Sequence, residues 1–158
     1  MTLFDLAGKV AVVTGSTKGI GEAIAHRLAE HGAMVAVSSR KADACEAVAA
    51  DINKTVGKGR EVAVPIPCNI SYKDQLQNLV DKTRAKWGKI DILICNAAVN
   101  PYFGPAAGIS DDQFDKIMDV NVRSNFWLTN MVLPEMVQRK DGSITIVSSI
   151  GGLKGSPV

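Results

Sequence analysis

Three stretches of this sequence gather residue types that can do chemistry. In "TGSTKGIG" (14–21), Gly15, Gly19 and Gly21 stand among Thr14, Ser16, Lys18 and Ile20. A glycine at a strand exit permits a tight turn with positive φ, and glycines at a helix start let backbones pack closely while amide N–H groups face an anion. That is the chemistry of a phosphate cradle. The spacing is G-x-x-x-G-x-G, not the G-x-G-x-x-G of the common dinucleotide fingerprint, so position along the chain has to carry the argument. In "VSSRK" (37–41), Ser38 and Ser39 offer hydroxyl donors and Arg40 a fixed fork of N–H donors. Such a set suits a phosphate monoester, whereas an acid at this place would hold ribose hydroxyls. With Lys18 adding a second positive charge, the two stretches predict NADP(H) in preference to NAD(H). In "IVSSIGG" (146–152), an apolar strand delivers Ser148 and Ser149 into a glycine-rich loop.

Weaker signals follow the same pattern. "PCNIS" (67–71) places Asn69 and Ile70 where an amide and a branched side chain could meet an adenine. "CNAAVNP" (95–101) follows Asn96 with Ala97 and Ala98, small enough for a flat nucleotide to lie against the backbone; Asn96 reads equally well as a turn cap. Phe114, Met118, Asn121 and Asn125 share one helical face, and a buried amide there must find partners, so a structural hydrogen bond is the plainer reading of Asn121. Cys45, Cys68 and Cys95 are odd in number and lack C-x-x-C spacing, and His26 and His31 are the only histidines. No metal site is expected, and Cys95 reads as a small buried hydrophobe rather than a nucleophile.

These residues need elements to hold them. Short valine- and isoleucine-rich runs at 9–14, 34–39, 61–67, 91–96 and 143–149 read as strands buried on both faces. Between them lie helical patterns. The first runs from Gly19 to a stop at Gly32, the second covers about 41–56, and the third has Ser71 as cap and Gly88 past its end. The fourth is capped by Ser110, with Asp111 and Asp112 in its first turn, and continues to about Arg139 with a bend expected near Pro134. Strand and helix in alternation predict a doubly wound α/β fold with a parallel sheet and helices on both faces. Ligands of such sheets bind beyond the carboxyl ends of the strands, where every stretch quoted above falls.

Composition narrows the classes further. The 158 residues fit one domain, and 18 basic against 16 acidic residues, a net charge of +2, are scattered without the basic blocks of a nucleic-acid footprint. No apolar run reaches membrane-spanning length and the N-terminus does not read as a signal peptide, so no nucleic-acid partner, no membrane and a cytoplasmic location are expected.

Taken together, the motifs resemble the short-chain dehydrogenase/reductase family. "TGSTKGIG" is similar to its TGxxxGIG cofactor loop, "CNAA" to its NNAG element, "NV" at Asn121 to the site of its active-site asparagine, and "IVSSIGG" to the strand and loop bearing its catalytic serine. They occur in the family's order along the whole chain, and "VSSRK" with "NAAVNPYFG" looks like its NADPH-dependent carbonyl reductase branch. The resemblance implies a Rossmann-like sheet and hydride transfer between NADPH and a ketone or aldehyde, or the corresponding alcohol. It implies that Ser149 holds and polarises the substrate carbonyl, and that Asn121 holds a water in a proton relay.

The family's proton donor is a tyrosine about thirteen residues beyond that serine, followed by a lysine, a place that lies past Val158. Tyr72 and Tyr102 stand in no Y-x-x-x-K frame, Cys95 and Ala98 depart from NNAG, and Asn69 replaces a common aspartate. The expectation is therefore an incomplete NAD(P)-binding domain over 1–158, truncated after its fifth strand and inactive alone, whose last strand would be an exposed apolar edge. A dimer or tetramer is implied for the full-length family member. The alternative is a catalytically silent NADP(H)-binding or interaction module.

Overall fold

The computed structural model describes residues 4–154. Five strands alternate with helices: β1 (Val10–Thr14), α1 (Gly19–Glu30), β2 (Met34–Ser38), α2 (Ala42–Thr55), β3 (Ala63–Pro65), α3 (Lys73–Trp87), β4 (Ile92–Cys95), α4 (Asp111–Met118), α5 (Ser124–Arg139) and β5 (Ser143–Ile146). All pair in parallel in the order β3-β2-β1-β4-β5, with Val12 level with Ala36 on one side and Leu93 on the other. Residue alternation along β1 divides the core. Ala11 and Val13 pack with Ala25, Ala29, Val48 and Ile52 of α1 and α2, while Val12 packs with Leu76, Leu79, Leu128 and Val132 of α3 and α5. Both faces of the central strands are thus covered, the condition under which a parallel sheet forms. Each fully buried valine or leucine contributes about 1.5–3 kcal/mol.

Three local expectations are corrected. The apolar pattern of the fifth strand taken alone predicts burial on both faces, and that is corrected. The exposed apolar edge also expected for it is what the structure has, since β5 pairs with β4 alone among the described residues, Ser143, Thr145 and Ile146 are exposed and only Ile144 is half-buried. Ser71 does not cap α3. Tyr72 holds the cap position without a side-chain bond, while Asn69 Oδ1 accepts from Ser71 N at 3.2 Å in a local turn that redirects the chain before the helix starts.

The long fourth helix is interrupted at Asp119–Arg123 by one π turn, and Pro134 lies inside α5. There Ser124 N bonds five residues back to Asp119 O, and side chains take up the carbonyls of the widened turn. Ser124 Oγ donates to Val120 O at 2.6 Å and Asn125 Nδ2 to Asn121 O at 2.8 Å. Apolar spacing cannot reveal such a turn, since one extra residue only shifts the stripe. Ser110 does cap α4, in a reciprocal box with Gln113.

At the amino ends of the strands the chain is tied by charge. Asp91, 2% exposed, accepts from Val10 N at 2.9 Å and pairs with Lys89 at 2.9 Å and Arg139 at 3.3 Å. Arg139 pairs onward with Glu135, which also holds Arg84 of α3 at 2.9 Å.

Candidate functional site

The carboxyl ends of the strands open into a cleft of about 650 Å³. Its floor is the β1 exit. Gly15 turns with φ +66°, and an added Cβ would meet Ala97 Cα at 3.0 Å. At Gly21 a Cβ would lie 2.3 Å from Gly15 O and 2.5 Å from Asn96 Nδ2, so α1 can pack this closely on the turn only with glycine there. Gly19 opens α1 with φ +56°. The amino end of α1 therefore faces the cleft beside Thr17 and Lys18, the arrangement in which backbone amides and helix dipole favour an anion.

The site residues expected from sequence divide into two groups. Gly15, Lys18, Gly19, Ile20, Gly21, Ser39, Arg40, Asn69, Ile70, Asn96, Ala97 and Ala98 line the cleft. Thr14, Ser16 and Ser38 do not; they are buried behind the floor and hold it. Thr14 Oγ1 donates to Ile94 O at 3.3 Å and accepts from Asn96 N at 3.0 Å and Ala97 N at 3.1 Å, joining β1 to the β4 exit. Asn96 returns the tie through Nδ2 to Thr14 O at 3.0 Å. Ser16 Oγ accepts from Ser38 N at 2.8 Å while Ser16 N donates to Ser38 O at 3.1 Å, which fixes the glycine turn to the end of β2. The Ser38 hydroxyl itself is buried and makes no hydrogen bond among the described residues.

Charge around the cleft is one-sided. Among the described residues Lys18, Arg40, Lys41 and Lys116 line it, no aspartate or glutamate does, and none of the four cations joins an ion pair. Sequence reasoning missed Thr17, Lys41, Ala44, Cys68, Ser71, Val99, Lys116 and Val120 as lining residues. Cys68 and Ser71 neighbour the quoted Asn69 and Ile70 and could have been found there; Lys116 carries no local signal, because α4 reaches the cleft only through the tertiary fold. Burial, with Asp74 nearby, pushes the Cys68 thiol up to about 12, and burial pushes Cys95 up to about 11, so both stay protonated and unreactive near neutrality.

The two residues with expected catalytic roles lie outside the cleft lining. Asn121, in the π turn, spends one donor and one acceptor of its amide on Val99: Oδ1 accepts from Val99 N and Nδ2 donates to Val99 O, each at 2.9 Å. Val99 lines the cleft, so the side chain fixes one wall of it, the structural role its residue type suggested. Ser149 is exposed at the end of β5, where Oγ accepts from Gly151 N at 3.2 Å and keeps its own proton free for another acceptor.

Comparison with known proteins agrees with this fold. The family model described as short chain dehydrogenase matches residues 9–158. Dehydrogenase/reductase SDR family member 4 of Homo sapiens is 43% identical over 152 residues, covering 96% of this chain and 53% of that protein. The chain thus spans about half the length of the curated relatives it matches. Among solved structures, a 7α-hydroxysteroid dehydrogenase complexed with NADH and 7-oxo glycochenodeoxycholic acid superposes with a TM-score of 0.90 at 33% identity, covering 98% of this chain and 58% of that one. A metagenomic short-chain oxidoreductase in complex with NADP superposes with a TM-score of 0.85 at 34% identity, covering 97% and 66%.

Proposed function

The chain belongs to the short-chain dehydrogenase family, and from that premise we propose that its cleft is the NADP(H) site of an oxidoreductase acting on a ketone or aldehyde, or the corresponding alcohol. The observation that carries the cofactor preference is the charge of the cleft: four cations without an ion-pair partner and no acid among the described lining residues, with Arg40 at the end of β2. A cradle that a Cβ at Gly21 would fill fits a diphosphate, and Ser39 with Arg40 fits a phosphate on the adenosine ribose. The bound cofactor supplies or accepts the hydride.

The rest belongs to the chain's own residues. Lys18 and the amides after Gly15 hold the diphosphate. Asn69 and Ile70 take the adenine, while Ala97 and Ala98 give flat backbone for the dinucleotide to lie on. Thr14, Ser16 and Asn96 keep that floor rigid. Ser149 donates its free hydroxyl proton in a hydrogen bond to a substrate carbonyl, drawing charge toward oxygen; it does not give the proton up, because an unassisted hydroxyl is a poor acid. Neither Tyr72 nor Tyr102 lines the cleft, and the Tyr102 hydroxyl donates to Pro105 O. A protein made of residues 1–158 alone is therefore expected to bind cofactor without turning over a diketone. The exposed apolar row Phe114, Met118, Val122, Phe126, Leu133 and Val137, running from α4 through the π turn into α5, supports association of copies into a dimer or tetramer.

The test is NADPH fluorescence on addition of protein. Enhancement reversed by 2′,5′-ADP supports the reading; no change in fluorescence and no shift in melting temperature with NADPH would overturn it.

A further inference from the structure

Lys116 reaches the cleft from a part of the chain that carries none of the cofactor motifs. It lies on α4, and its Nζ donates to Ser71 Oγ at 3.2 Å across a sequence separation of 45 residues. Both residues line the cleft. Ser71 follows directly on Asn69 and Ile70 in a turn held at two points: Ser71 N to Asn69 Oδ1 at 3.2 Å, and Asn69 N to Gln75 Oε1 at 2.7 Å. One helical turn beyond Lys116, Val120 also lines the cleft and is rooted in the core with Leu76 and Leu128. The Lys116–Ser71 bond therefore joins the wall after β3 to the wall built by α4. In the order β3-β2-β1-β4-β5 it lies toward the edge opposite β5, where Asn69 and Arg40 would take the adenosine, away from Ser149.

We propose that Lys116 and Ser71 form a strap across the adenosine half of the cleft, with Lys116 a positioning residue that sets the gap between Ile70 and Val120. The proposal rests on the NADP(H) reading. Losing either end of the strap releases both walls, so the two residues act as a unit. An exposed contact of this kind contributes little, so the expected weakening is roughly two- to fivefold in dissociation constant.

The experiment is a double-mutant cycle on Lys116→Met and Ser71→Ala, titrated with NADPH, with 2′,5′-ADP for the adenosine half and with nicotinamide mononucleotide for the other. Lys82→Met, on an exposed position of α3, controls for lost charge. Each single change is expected to weaken NADPH and 2′,5′-ADP equally, the double change no further, and the mononucleotide not at all. Lys116→Arg, which keeps a donor, is expected to restore affinity. Loss on Lys116→Met alone, additive losses, a loss matched by Lys82→Met, or no loss would each overturn the strap. If the unmutated protein binds no NADPH, the NADP(H) reading itself fails; if it binds and Lys116 proves indifferent, only the strap does.

Discussion

The two ends of the sheet are built from the same strands and differ in what their charges meet. At the amino ends, Lys89, Asp91, Arg139, Glu135 and Arg84 form a chain of ion pairs, and Lys9 meets Asp141. At the carboxyl ends, Lys18, Arg40, Lys41 and Lys116 surround a cleft with no acid among its described lining residues. One end uses its charges on the chain itself, tying β1, β4, α3 and α5. The other gathers like charges without a counterion, a self-repelling arrangement that an external anion would relieve.

Substitutions that move one end and spare the other sharpen this contrast. The largest effect is expected at Gly21: Gly21→Val drives side-chain carbon into Gly15 O and should reduce NADPH binding by about a hundredfold or more, as loss of several charge-assisted bonds implies. Titration of a variant that retains its circular dichroism checks this; unchanged affinity would mean that the glycine turn is not the cradle. Next comes the opposite end. Asp91→Ala removes a buried acceptor from Val10 N and from two cations, and is expected to cost about 3 kcal/mol in urea unfolding while NADPH affinity stays the same. A loss of affinity there would blur the separation.

Arg40→Glu should then reverse cofactor preference, weakening NADPH by roughly tenfold or more with little harm to NADH, by swapping a forked donor for a carboxylate. The smallest effect is the Lys9–Asp141 pair. Its hydrogen bond holds the Asp141 carboxyl below its ordinary 3.8 and the Lys9 ammonium above 10.5. A lowered acid contributes stability above its unfolded pKa and loses it as pH falls through the folded value; a raised amine contributes below its unfolded pKa and loses it as pH rises. The pair therefore helps across the neutral range and fades at both extremes. Asp141→Asn should lower the melting temperature less than Asp91→Ala does, with a difference from the unmutated chain that vanishes in acid.

Much of this was legible in the sequence where one local rule decides. The valine-rich runs marked the central strands because burial on both faces leaves a continuous apolar signature, and Ser110 with Asp111 and Asp112 marked the start of α4 because a capping hydroxyl followed by acids in the first turn is a local signal. Gly15, Gly19 and Gly21 were legible for the same reason. The π turn was not, since Ser124 and Asn125 reveal their roles only through bonds to carbonyls that the turn itself sets free. Exposure of β5 is not encoded in its own residues, and it was legible only through the family resemblance, which makes this strand an apolar edge. Lys116 was missed because a lysine on a solvated helix face looks the same whether or not the fold bends that face over a cleft. Thr14, Ser16 and Ser38 stood out by their place in the sequence, which does not reveal what they do. A hydroxyl that would touch a ligand and one that ties a turn from behind have the same spacing.

The central claim is that the cleft's cations select a cofactor bearing an extra phosphate. Parallel titrations of NADPH and NADH at low and high salt test it most directly. The account predicts NADPH tighter by at least about tenfold at low salt, with the advantage shrinking as salt screens the exposed charges; equal affinities, or tighter NADH, at low salt would contradict it.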